Sequence, residues 1–227
     1  MIENKQAIII GNSDGIGLAL TLRLLESGWG VLGLSRSGSP IEQQSYHHEI
    51  INVTADEYSD ILSKSVAANP DLCVYCAGIG ELLKLDSFEG ERSVFEVNLL
   101  GFVKAAEIII PAMIERGKGH LIVLSSIGDE IISAEAPSYH ASKAGLSSYV
   151  EGVALAARDR GVAVTNLRFG FVDTKMAKGD RKIFMMSVDK AVDHIIYCIK
   201  RRPIRYSRPR IMGILVRLHK TITRLKM

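Results

Sequence analysis

Apolar positions in this chain follow two alternating rhythms. Short apolar runs of the kind buried on both faces of a sheet occur at Gln6–Ile10, Gly30–Leu34, His48–Val53, Leu72–Cys76, His120–Leu124 and Val162–Arg168. Between them, apolar residues recur at helical spacing over Leu18–Ser27, Ala55–Ala68, Glu91–Arg116, a segment bearing Tyr139 and Lys143 that runs to Arg160, and Val188–Lys200. Thr54 stands where a cap for the second helix is wanted, and Gly28, Gly117 and Gly161 stand at helix stops. Strands alternating with helices, with no internal repeat and no linker composition, predict an α/β fold built on a doubly wound parallel sheet. One domain spanning residues 1–227 is expected.

Composition changes this picture little. The chain has 227 residues, 47% hydrophobic and 23% charged, enough apolar material for a sizeable core. No apolar run reaches the roughly 18 residues of a membrane-spanning helix. Met1–Lys5 lacks the basic start and apolar stretch of a signal peptide, so an intracellular, cytoplasmic protein is expected. Cys73 and Cys76 form a C-x-x-C inside a predicted strand, where residues three apart point to opposite faces; no metal site is expected. The net charge of +3 is unevenly spread. Residues 200–227 carry ten Lys/Arg and no Asp/Glu, which leaves the remainder at −7.

The first strand runs into Gly11-Asn12-Ser13-Asp14-Gly15-Ile16-Gly17 and then a helix. Strand, glycine turn and helix is the setting in which a Gly-rich loop binds a dinucleotide, with the pyrophosphate at the helix N-terminus. Strand two ends in Ser35-Arg36-Ser37. An acidic residue there holds the adenosine ribose 2′-hydroxyl. Its absence, and the Arg36 fork, point to a 2′-phosphate and so to NADP, with NAD as the alternative. Asp14 in the glycine loop counts against a second phosphate nearby.

The remaining chemistry lies at Ser125-Ser126 and at Tyr139-His140-Ala141-Ser142-Lys143. Tyr139 and Lys143 are four apart, so a helix sets phenol and ammonium on one face. The Gly loop, Arg36, Gly78, Ser126 and Gly170 all follow strand ends and would line one edge of the sheet, where ligands bind in such folds.

In these motifs the chain resembles the short-chain dehydrogenase/reductase family in its compact, single-domain form. The resemblance runs from about residue 5 to 200. Gly11-x3-Gly15-x-Gly17, Cys76-Ala77-Gly78, Asn98, Ser126, Tyr139-x3-Lys143 and Gly170-x-Val172-x-Thr174 fall in the family's order. Ser126 is preferred to Ser125 because it precedes Tyr139 by the family's usual 13 residues. Ile10, Tyr75-Cys76 and Phe169 depart from the family's usual Thr, Asn-Asn and Pro.

The resemblance implies a Rossmann fold, three layers deep, and an NAD(P)(H)-dependent oxidoreductase interconverting a carbonyl and an alcohol. Tyr139 would be the general acid/base, with its pKa lowered by Lys143 and by a positively charged oxidised nicotinamide. Lys143 would also bind the nicotinamide ribose, Ser126 would donate to the substrate oxygen, and Asn98 would hold a relay water. Cofactor contacts would come from Gly11, Ser13, Asp14, Gly15, Ile16, Gly17, Ser35, Arg36, Asn52, Val53, Cys76, Ala77, Gly78, Tyr139, Lys143, Val172 and Thr174. The partners implied are a small carbonyl or alcohol and further copies of the chain, as a homodimer or homotetramer. A non-catalytic dinucleotide sensor or scaffold is the alternative; the chain is too short for the family's epimerase branch. His47, His48 and His140 receive no role.

Residues 203–227 read as a basic, amphipathic extension. Ile211, Ile214, Leu215, Leu218, Ile222 and Leu225 share one face of a helix from Pro209, opposite Arg210, Arg217, Lys220 and Arg224. Packing on the domain or a second subunit is favoured over a lid on the pocket or peripheral contact with anionic lipid. Nucleic acid is not expected, for want of an aromatic platform. Met176–Met186, with Phe184, hints at a hydrophobic substrate.

Overall fold

In a computed structural model, residues 5–177, 184–213, 215 and 216 are described. Among them seven strands form one parallel sheet: β1 (Gln6–Ile10), β2 (Gly30–Ser35), β3 (Tyr46–Ile50), β4 (Leu72–Tyr75), β5 (Gly119–Ser126), β6 (Val162–Phe169) and β7 (Arg205–Arg208). Their order across the sheet is β3-β2-β1-β4-β5-β6-β7. The direction of winding therefore reverses between β1 and β4, which pair from Ala7 with Leu72 to Ile10 with Tyr75. Such a switch point opens a crevice at the carboxyl ends of the strands.

Helices cover both faces. The side chains of α2 (Tyr58–Val66), α4 (Gly101–Glu115) and α5 (Pro137–Ala157) share one core with Ile8, Ile10, Cys73 and Tyr75. Those of α1 (Gly15–Glu26) and α6 (Val188–Arg201) share the other with Ile9, Val74, Ile122 and Leu167. The whole of β4 and β5 is buried, as befits central parallel strands.

Several expectations are corrected. Strand three lies earlier than its apolar pattern indicated, because Tyr46 pairs with Val31 and the ladder ends at Ile50. Asn52 and Val53 fall beyond it. Helix α2 starts at Tyr58, not after Thr54, and no side chain caps it; the Thr54 N–H instead meets Asn52 Oδ1 at 3.3 Å. The long helix is α3 (Glu91–Phe95) joined to α4 by a π turn over Glu96–Leu100. At 25 residues, Glu91–Glu115 is long and apolar enough to span a membrane by length and composition. Here Phe102, Ala105, Ile109 and Met113 are buried against the sheet. Strand β7 lies within the expected basic tail. Arg-Tyr-Ser-Arg has no apolar run, since an edge strand with one buried face needs none. Beyond it, 210–213, 215 and 216 are helical; the remaining tail positions, Ile214, Leu218, Ile222 and Leu225 with Arg217, Lys220 and Arg224, lie outside the described residues.

His120 sits inside the sheet with Nε2 2.9 Å from Thr165 Oγ1, and burial drives its pKa down to about 3. The unfolded chain binds this proton below about 6.5, whereas the folded chain resists it to about 3. Stability from this residue is therefore full above 6.5 and lost as pH falls through that window, at up to about 1.4 kcal/mol per pH unit. Urea midpoints between those limits should fall with acidification, and less steeply in His120→Gln.

Candidate active site

The glycine turn is shaped by close backbone approaches. Gly11 has φ +86°, and a Cβ there would stand 2.6 Å from the Ala77 nitrogen. A Cβ on Gly17 would collide with the Gly11 carbonyl. The turn thus lies directly on the Cys76-Ala77-Gly78 segment after β4. Asp14 caps α1, accepting from the Gly15 N–H at 2.7 Å, and pairs with Lys175 at 2.7 Å. Lys175 and the Gly15 N–H hold the Asp14 carboxyl below the usual carboxylate range, and the lysine offsets the charge that would oppose a phosphate. Thr174 closes the other side, its Cγ2 3.3 Å from where a Gly15 Cβ would stand.

Asn98 sits on the π turn and is fully buried. Its Oδ1 accepts from the Ile79 N–H at 2.8 Å, and its Nδ2 donates to the Ile79 carbonyl at 2.9 Å and to Ser142 Oγ at 3.0 Å. It thereby braces the β4 extension against α5. Gly78 lies in the same cluster: a Cβ there would be 3.3 Å from Asn98 Oδ1 and 3.5 Å from Lys143 Nζ.

On α5, Tyr139 faces Ser126 and Lys143 faces β5. Tyr139 hydrogen-bonds the Ser126 side chain, whose Oγ also accepts from the Gly128 N–H at 3.0 Å. Ser125 Oγ is instead 2.7 Å from Ser147 Oγ, further along α5. Lys143 is buried and donates to the Leu124 carbonyl at 3.0 Å. Burial draws its pKa down to about 8. Burial also pushes the Tyr139 phenol up, against the hydrogen bond from Ser126 and with help from the Asp129 charge. In the chain alone, then, desolvation sets the direction of the Tyr139 shift, and the lowering comes from Ser126 rather than, as expected, from Lys143.

Arg36 is exposed at the end of β2. Asn52 Oδ1 is turned to the Thr54 N–H, and Val53 is buried in the core. Val172 is buried and bridges to Met186. Ser13 on the glycine turn and Ile16 in the first turn of α1 are half-buried, and Ser35 Oγ donates to the Ser37 carbonyl at 2.8 Å.

Two histidines take bracing roles that the sequence did not indicate. The His140 Nδ1–H donates to the Gly128 carbonyl at 2.7 Å, since a carbonyl can only accept. His48 Nε2 lies 3.0 Å from the Ser37 carbonyl, and its Nδ1 lies 2.8 Å from the Tyr46 hydroxyl, which in turn accepts from Asn12 Nδ2 at 2.7 Å. These hydrogen bonds tie the glycine turn to the turn bearing Arg36. Spacing carries no signal for either histidine, because the partners come from separate segments of the chain.

These residues fit a dinucleotide: a glycine backbone at a helix N-terminus, and a glycine leaving space beside Lys143 and Asn98. A family model described as short chain dehydrogenase matches residues 5–183. A fatty acyl-CoA reductase of Acinetobacter baylyi is 27% identical over 223 residues, covering 90% of this chain and 76% of that protein. A short chain dehydrogenase from Burkholderia cenocepacia, solved in complex with NADP, superposes with a TM-score of 0.85 at 21% identity, over 99% of this chain and 97% of that one. A 4-hydroxyisoleucine dehydrogenase complexed with NADH gives a TM-score of 0.80 at 21% identity, over 90% and 96%.

A buried ammonium with one carbonyl partner among the described residues is costly to the fold. Lys143→Met should therefore raise the thermal midpoint by a few degrees, about 1–2 kcal/mol of added stability. Calorimetry at neutral pH checks this.

Proposed function

Because the chain belongs to the short-chain dehydrogenase family of oxidoreductases, we propose that it interconverts a carbonyl and an alcohol with NADP(H), using Tyr139 as the proton donor and acceptor. The convergence of Tyr139 on Ser126, with Lys143 and Asn98 meeting at Gly78, carries the reading. The nicotinamide, when bound, supplies or takes the hydride. In reduction Tyr139 gives its proton to the carbonyl oxygen; in oxidation it takes one back. A raised phenol pKa keeps it protonated at neutral pH, which suits reduction. Oxidation should speed up as pH rises, because the base form grows.

Ser126 already accepts from the Gly128 N–H, so its own proton can turn to the substrate oxygen. Lys143 binds the nicotinamide ribose and holds positive charge beneath Tyr139. Asn98, beside Lys143, holds the water that exchanges protons with solvent. Val172 and Thr174 orient the carboxamide. Arg36 binds the 2′-phosphate, giving NADP preference over NAD. Phe171, Met176 and Phe184 are exposed along the loop after β6 and favour an apolar substrate, in keeping with the fatty acyl-CoA reductase among the relatives. Leu100, Tyr149 and Leu155 are exposed at the end of the π turn and on α5 and offer a face for a second copy of the chain.

Screening apolar aldehydes and ketones while following NADPH absorbance tests this reading. Wild type should turn over, and Tyr139→Phe should lose about 100- to 10,000-fold in kcat while still binding NADPH. Cofactor binding with no turnover by wild type would favour the sensor. Arg36→Ala should weaken NADPH about ten-fold or more and leave NADH unchanged. Tighter NADH than NADPH binding by wild type would overturn the NADP assignment.

A further inference from the structure

Behind the Tyr139–Ser126 pair lies a group of charges for which neither cofactor nor substrate accounts. Asp129 sits on a 3₁₀ turn, Ile127–Glu130, that begins at Ser126. Its Oδ2 accepts from Arg168 Nε at 2.6 Å and from Ser147 Oγ at 2.5 Å, and its Oδ1 accepts from Arg168 Nη2. Only 2% of the Arg168 side chain and 3% of the Asp129 side chain is exposed. Arg168 Nη2 also meets Glu130 Oε1 at 2.7 Å, and its Nη1 meets Ser207 Oγ at 3.2 Å. Arg205 on β7 joins the group, 2.7 Å from Glu130 and 3.4 Å from Glu151.

We infer that the buried Arg168–Asp129 pair is a positioning element for the proposed reaction: it fixes the turn that carries Ser126 and sets a pair of opposite charges, held out of water, behind Tyr139. The inference rests on the reading of Tyr139 as the acid/base. Three attachments hold the turn at its start, middle and end. Ser126 Oγ accepts from the Gly128 N–H, the Gly128 carbonyl accepts from His140, and Asp129 is forked by Arg168. His140 neighbours Tyr139 on α5, so movement of Asp129 would be passed to both members of the pair. Ser147 links the carboxylate to Ser125 on β5.

Stability does not account for the pair. Two ions removed from water gain little over apolar residues of the same shape. What the pair supplies is charge at fixed distance. The Asp129 charge raises both Tyr139 and Lys143, while Arg168 grips both of its carboxylate oxygens. The groups facing Tyr139 are Ser126 on β5, Asp129 on the turn, and His140 and Lys143 on α5, with Cys76 after β4 beside Lys143 and Glu91 on α3 bonded to Ser138. Glu130, Arg168, Arg205 and Glu151 form the outer ring. Neutralising Asp129 leaves Arg168 positive and favours the tyrosinate; removing Arg168 leaves Asp129 negative and disfavours it.

The titration midpoint of Tyr139 tests this without any substrate. It is read as the tyrosinate ultraviolet difference spectrum of each protein minus that of its Tyr139→Phe counterpart. Asp129→Asn should shift the midpoint down by about one pH unit, and Arg168→Met should shift it up by a similar amount. The double variant, which holds neither charge, should fall between Asp129→Asn and wild type; it also serves if a single variant fails to fold. Coincident midpoints, or a different order among folded proteins, would overturn the inference. Tyr139-dependent turnover with the wrong order would sink this inference alone. The right order in a protein with no turnover would leave the charge effect standing and sink the reading of function.

Discussion

Asn98 grips both backbone groups of Ile79 with one amide, and the geometry of the site follows from that grip. The segment after β4 has left the sheet and has no strand to pair with, so its polar backbone needs a substitute partner. A π turn at Glu96–Leu100 places the Asn98 amide there. The same amide nitrogen also reaches Ser142, fixing α5 relative to β4. Gly78 is thereby held where Asn98 and Lys143 both face it, at the point where the sheet's winding reverses. An ordinary α-helix would place the side chain elsewhere, which is a physical reason for the irregular turn in an otherwise regular helix.

Around that clamp the chain sets unfavourable burials where the chemistry is proposed to occur. Lys143 is an ammonium with a single carbonyl partner among the described residues, and Tyr139 is a phenol whose ionisation is opposed by burial. Neither arrangement serves the fold. Both are sustained by the continuous cores on the two faces of the sheet. The ion group around Asp129 extends the same pattern, charge held out of water at the site's back wall.

The sequence disclosed what periodicity and spacing encode. The strands β1, β2 and β4 to β6, the glycine turn and the four-residue step from Tyr139 to Lys143 were legible because apolar burial and backbone approach restrict residue type locally; β3, whose residues Tyr46–Ile50 are largely exposed, carries no such apolar run and was placed too late. What was missed depends on partners far along the chain. β7 is written in arginines because Tyr206 faces inward and Arg205 finds Glu130 and Glu151. His48 and His140 gain roles only from carbonyls on other turns. The direction of the Tyr139 shift required its depth, which spacing does not carry. Thr54 resembled a cap by type alone, and the chain turned into α2 four residues later.

The late position of β7 bears on how the molecule is assembled during synthesis. Thr174 is the last of the motif positions, and Arg205 follows it in the chain. A nascent chain released through Thr174 holds the whole set of motif residues, but β6 then lacks its outer neighbour and Glu130 lacks Arg205. The back wall of the site is thus completed from the carboxyl-terminal side, after the residues it supports have been made. A ribosome-bound intermediate would carry an open sheet edge at β6, exposed to pairing with other chains until Arg205–Arg208 arrives to cover it.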